Sequence, residues 1–166
     1  MLAPEALLGH AGRLLTRQPD EADIRRAISA CYYAVFGLLI TAASQTQEGG
    51  TLLQDSVRRT VQHREVRRVC DAMVVRPASR PAALQQLLVE PVDQRLIRAA
   101  TALIELLNAR LEADYDLVKA PSLLQASALL AKAETVVADW PDLLQAPNTR
   151  TFLLALLFHE RWTRRG

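Results

Sequence analysis

The stretch from Asp20 to Thr46, DEADIRRAISACYYAVFGLLITAASQT, constrains the fold more than any other part of the chain. No Pro or Gly interrupts it before Gly37. Asp20 is placed to cap a helix, because a short side-chain oxygen at that point accepts an orphan backbone N–H. Glu21 and Asp23 put negative charge at the positive end of the helix dipole. Ile24, Ala27, Ile28, Cys31, Val35, Leu38 and Leu39 recur at three- and four-residue steps, which lays one apolar stripe along the helix. Arg25, Arg26, Ser29, Tyr32 and Tyr33 lie beside the stripe. The spacing puts Arg26, Ser29 and Tyr33 on roughly one face. Either the tyrosines are buried with satisfied hydroxyls and the arginines solvated, or this is a polar functional face.

The remaining chain reads as further helices. Pro4 to Arg17 predicts a first helix, with Pro4 in its first turn and Gln18-Pro19 at its end. Thr51 to about Val75 predicts a third, carrying Leu52, Leu53, Val57, Val61, Val66, Val69, Cys70, Met73 and Val74 as apolar positions. A dip at Gln62-His63-Arg64-Glu65 marks a kink or junction. Ala82 to Val89 predicts a short helix closed by Glu90-Pro91. Val92 to Leu117 is the second dominant helix, with Val92, Leu96, Ala99, Ala100, Leu103, Leu106, Leu107 and Leu111 in its stripe. Ser122 caps a helix running to Asp139, which Trp140-Pro141 ends, and Thr149 to Arg164 closes the chain with a basic end at Arg161, Arg164 and Arg165. Half the residues are hydrophobic and only 5% aromatic, a mix that favours helices over strands. The expectation is one all-α domain, an antiparallel up-and-down bundle of five or six helices joined by short polar loops.

The net charge of +2 conceals a pattern. Residues 55–80 carry 7 basic and 3 acidic groups, whereas residues 1–54 carry 4 and 5 and residues 81–166 carry 9 and 10. The middle segment holds Arg58, Arg59, Arg64, Arg67 and Arg68, with His63 among them. Arginine forks suit phosphates, and a high-GC coding sequence accounts for much of the arginine bias as well. Those arginines form either a solvated helix face or a set of phosphate contacts whose strength would fall with salt. No aromatic residue is interleaved there, so stacking on bases is not suggested. Cys31 and Cys70 fit apolar patterns as buried free thiols, and there is no C-x-x-C. Neither a metal nor a cofactor is expected: His10, His63 and His159 lack ligand spacing, and no Gly-rich phosphate loop is present. The first residues do not read as a signal peptide. The longest apolar run, Phe152 to Phe158, is too short for a bilayer, so the expected location is the cytoplasm, away from membranes.

Three segments taken together carry a resemblance: R-R-A-I-S-A-C-Y-Y-A-V-F, then V-R-R-T-V-Q-H-R-E-V-R-R-V-C, then N-A-R-L-E-A-D-Y-D-L. In this order the chain resembles the HEPN superfamily of small helical bundles over roughly residues 4–138. The resemblance implies a bundle that usually dimerises. It further implies an RNase, often a toxin with an antitoxin partner, or an RNA-binding partner of a nucleotidyltransferase. The family's RNase motif is an Arg, four to six residues, then a His. Here it begins at Arg110, and after four residues comes Tyr115. A phenol, ordinarily titrating near pH 10, is a poor base at neutrality. Metal-independent cleavage by that mechanism is therefore in question, unless His63 substitutes from another helix.

The resemblance assigns phosphate binding to Arg110, orientation of Arg110 to Asp114, and hydrogen-bond donation to Tyr33 or Tyr115. Arg26, Ser29, Tyr33, Arg110, Asp114 and Tyr115 are expected to line one cleft, at a dimer interface. Arg58, Arg59, His63, Arg64, Arg67 and Arg68 are the expected contacts to an RNA backbone. The same residues allow another reading, a surface ion pair between Arg110 and Asp114 on a non-catalytic module that binds a partner protein.

Overall fold

The computed structural model describes residues 3–16 and 18–163, with side chains up to residue 158. The described residues are all helix and connection, with no strand among them. Their elements are α1 (Pro4–Leu14), α2 (Glu21–Gln45), α3 (Thr51–Thr60), α4 (His63–Val74), a 3-10 turn (Pro77–Ser79), α5 (Ala82–Leu87), α6 (Gln94–Tyr115), α7 (Leu123–Leu143) and α8 (Pro147–Thr163). Eight α-helices thus stand where five or six are expected. One of the added helices has a local cause. Val61 and Gln62 adopt extended backbone, with ψ of 124° and 141°, and this splits the expected third helix into α3 and α4.

The starts of α2, α6 and α7 follow the capping chemistry. The backbone N–H of Asp23 donates to Asp20 Oδ1 at 2.8 Å, and that of Gln125 donates to Ser122 Oγ at 3.1 Å. Asp93 caps α6 by accepting from the N–H of Arg95 at 2.8 Å. Pro141 does not end α7, which continues to Leu143. A proline only a turn from the helix end removes one backbone bond and leaves the rest intact. The basic end of α8 lies outside the described residues at Arg164 and Arg165, and the side chain of Arg161 is likewise outside them.

The chain forms two compact units. The first comprises Met1–Leu38 and Ala102–Trp140. Its interior is built from Leu8 and Ala11 of α1, Ala27, Ile28, Cys31, Tyr32 and Val35 of α2, Leu103, Leu106 and Leu107 of α6, and Leu129, Ala133 and Trp140 of α7. The second unit comprises Leu39–Thr101 and Pro141–Gly166. Here α4 and α5 pack against α8. Val66, Val69, Cys70 and Met73 of α4 are buried, as are Leu84, Leu96, Phe152, Leu153 and Leu156.

Two expected stripes are corrected. Leu52 and Leu53 are exposed, because α3 buries none of its residues. Leu111 is also exposed, since α6 turns its small residues Ala109 and Ala113 inward over its last turns. Among the described residues, α2 alone is long and apolar enough to cross a membrane by length and composition. Phe152 to Phe158 is therefore not the apolar segment that comes nearest to a span. Of the most apolar window of α2, 61% is buried, the pattern of a core helix.

Candidate functional site

The first unit holds an open cleft of about 390 Å³ lined by His10 of α1, Arg25, Arg26, Ser29, Ala30 and Tyr33 of α2, and Asp114 of α6. Its foundation is the buried apolar stripe of α2, which leaves Arg26, Ser29 and Tyr33 on the opposite side of the helix. The face expected from the 26–29–33 spacing is therefore formed, whereas Arg110 and Tyr115, expected to line the same cleft, are not among its lining residues.

Asp114 ties α6 to that face. Its Oδ1 accepts from Ser29 Oγ at 2.8 Å, and its Oδ2 lies 2.6 Å from Arg110 Nε. Arg110 Nε is buried and is not aimed at the carboxylate in hydrogen-bond geometry, so the contact is an ion pair rather than a directed bond. The Arg110 guanidinium also lies over two rings, 5.6 Å from the Tyr33 centroid and 5.8 Å from that of Tyr115. The side chain of Arg110 is only 17% exposed. Tyr33 is 40% exposed and Tyr115 is 72% exposed. The two tyrosines of the Y-Y pair thus have different roles. Tyr32 is buried and stacks on Phe36, centroids 5.5 Å apart, while Tyr33 meets the Tyr32 ring edge-on at 5.3 Å.

Arg25 is a residue whose role the sequence left unseen. Its Nη1 donates to the carbonyls of Ala113 (2.6 Å) and Asp116 (3.0 Å), and its Nη2 donates to that of Lys119 (3.1 Å). Its Nε donates to Glu21 at 2.7 Å. The carbonyls at a helix C-terminus lack intrahelical donors, and a guanidinium from a neighbouring helix supplies them here. Arg25 thereby fixes the end of α6, and with it Asp114. An i,i+4 partner in Glu21 was the only trace of this in the sequence. Arg26, one residue on, is exposed and has no ion-pair partner among the described residues.

His10 is the other omission. The histidine that could have substituted in proton transfer, His63, is the first residue of α4 in the second unit. The imidazole that lines the cleft is His10. Only the packing of α1 could show this, because His10 is distant in sequence from every other cleft residue.

The arginine segment belongs to the second unit, and acidic neighbours neutralise most of it. Arg58 pairs with Asp55 at 2.9 Å and donates to Ser44 Oγ at 3.1 Å. Arg64 and Arg68 both contact Glu65 Oε1 at 3.2 Å, and Arg67 pairs with Asp71 at 3.0 Å. Arg59 is exposed with no ion-pair partner among the described residues. The break at Val61–Gln62 also divides the group, leaving Arg58 and Arg59 on α3 and Arg64, Arg67 and Arg68 on α4.

Both cysteines are free and buried. Burial, with Glu134 adding to it, pushes the Cys31 thiol up to about 12, and burial likewise pushes the Cys70 thiol up. Neither is a nucleophile near neutrality. No group of His, Cys, Asp and Glu suited to holding a metal occurs among the described residues. Comparison with protein-family models, with curated proteins and with solved structures gives no match to this chain.

Proposed function

We propose that the protein is a HEPN-like RNA-binding protein of the cytoplasm, an up-and-down bundle whose first-unit cleft holds a phosphate of an RNA backbone. In this reading Arg110 and Arg26 supply the positive charge, Asp114 orients Arg110, and Tyr33 donates a hydrogen bond. Two protomers would assemble with their clefts at the shared interface. The observation that carries the reading is the Ser29–Asp114–Arg110–Tyr33 chain of contacts beside an exposed Arg26. A guanidinium held by a carboxylate and aromatic rings is pre-organised for an oxyanion.

The test is Arg110→Ala. Losing a charge-assisted contact should weaken RNA binding about tenfold or more. Any growth arrest caused by expression should disappear with it, while the melting temperature holds. A matching fall in melting temperature would make Arg110 a structural residue.

His10 favours a second reading, cleavage at the same cleft. The imidazole would take the proton of a ribose 2′-OH as that oxygen attacks the adjacent phosphorus. The 5′-oxygen would leave with a proton, giving a cyclic phosphate, and Arg110 would stabilise the charge on phosphorus oxygens. His10→Gln should then abolish cleavage with binding retained. If no strand is cut by the unaltered protein, the chain is a binding module, with a nucleotidyltransferase or an antitoxin as its candidate partner.

A further inference from the structure

We propose that Tyr115 is a stacking face for an unpaired nucleobase, so that the first unit reads a base as well as a phosphate. The proposal rests on the RNA-binding reading above and adds a recognition element to it. Tyr115 is the last residue of α6, where the backbone leaves the helix. The side chain is 72% exposed, unusual for an aromatic ring beside a half-buried guanidinium. Arg110 lies over the ring at 5.8 Å and also over Tyr33 at 5.6 Å. A cation on one side of a ring leaves the other side for a second planar group, and every base offers a π-face.

The ring is also carried by a fixed piece of chain. Arg25 holds the carbonyls of Ala113, Asp116 and Lys119 on either side of it. Asp116 Oδ1 accepts from the N–H groups of Val118 (3.0 Å) and Lys119 (3.1 Å), closing the turn that follows. A platform ordered beforehand loses little entropy when a base settles on it. The arginines of α3 and α4 have no such ring interleaved among them, so the feature belongs to the first unit.

The experiment measures binding of the full chain to a single-stranded RNA of about ten nucleotides and to an abasic strand with the same number of phosphates. Both are titrated against the unaltered protein, Tyr115→Leu, Tyr115→Phe and Arg26→Ala. The RNA should bind the unaltered protein about tenfold tighter than the abasic strand. Tyr115→Leu should erase that difference without changing affinity for the abasic strand, and Tyr115→Phe should preserve it. Arg26→Ala should weaken both strands alike. If Tyr115→Leu binds both strands as the unaltered protein does while Arg26→Ala still weakens them, stacking is overturned and the phosphate reading stands. If neither strand responds to Arg26→Ala, both are overturned.

Discussion

Two regions of this molecule carry arginines, and they differ in what surrounds the charge. On α3 and α4 the guanidiniums other than that of Arg59 meet carboxylates three or four residues away, or next door as with Arg64 and Glu65, and Arg58 adds a hydroxyl. In the first unit Arg25 and Arg110 also keep a carboxylate four residues away, Glu21 and Asp114, but they add partners of other kinds. Arg25 reaches carbonyls some ninety positions on, Arg110 lies over two aromatic rings, and Arg26 has no ion-pair partner among the described residues. Most arginines of the denser cluster are therefore weaker candidates for an anion than Arg26. A cation already paired within its own helix must give up that pair to gain a phosphate. An unpaired one gives up only water and counterions.

The comparison breaks most sharply at Arg25. Arg25→Ala leaves carbonyls at the end of α6 without donors, and hydrogen bonds to charged groups contribute about 1.5–3 kcal/mol. The expected result is a melting temperature lower by about 5–10 °C, read by circular dichroism. An unchanged value would mean that water replaces the guanidinium at no cost.

Asp93 provides the counterpart in the second unit. The Arg95 guanidinium hydrogen bond, followed by the Arg95 backbone N–H, holds its carboxyl below the ordinary carboxylate range. A depressed folded value means that the stabilisation is full above the unfolded pKa and is lost as pH falls through the folded one. Asp93→Ala should cost about 1 kcal/mol, or about 2–4 °C, at neutral pH. The gap from the unaltered protein should close in acid, as melting curves across pH would reveal. A gap that persists at the lowest pH would assign the loss to packing instead.

A smaller effect sharpens the contrast directly. Arg26→Ala should reduce the slope of log affinity against log salt by about 0.7 for a single strand. Arg68→Ala should leave that slope unchanged, because Arg68 is satisfied by Glu65 on its own helix. Its stability should also move by less than about 0.5 kcal/mol. Equal slopes for the two variants would erase the distinction between the regions.

Much of the fold was legible because helix formation is local. Asp20 and Ser122 cap helices through bonds three residues long, and the stripes of α2 and α6 are buried almost as their periodicity predicts. The misses occur where local rules are evenly matched. Pro141 falls close enough to a helix end to be absorbed. The apolar residues of α3 look like a core stripe, yet α3 buries none of its residues.

The cleft was half legible. Arg26, Ser29 and Tyr33 share a face by spacing alone, and Arg110 and Asp114 by theirs. That the two faces meet, that His10 joins them, and that Arg25 is a structural staple all depend on contacts between residues far apart in sequence.

By itself the sequence determined an all-helical chain, the position of its two dominant helices and the residue types available to a polar site. Periodicity and capping act over three or four residues, so one strand of letters contains them in full. Tertiary packing decided which cations keep an accessible charge. That depends on which carboxylates, carbonyls and rings are carried to within a few ångströms, and no interval along the chain encodes such distances.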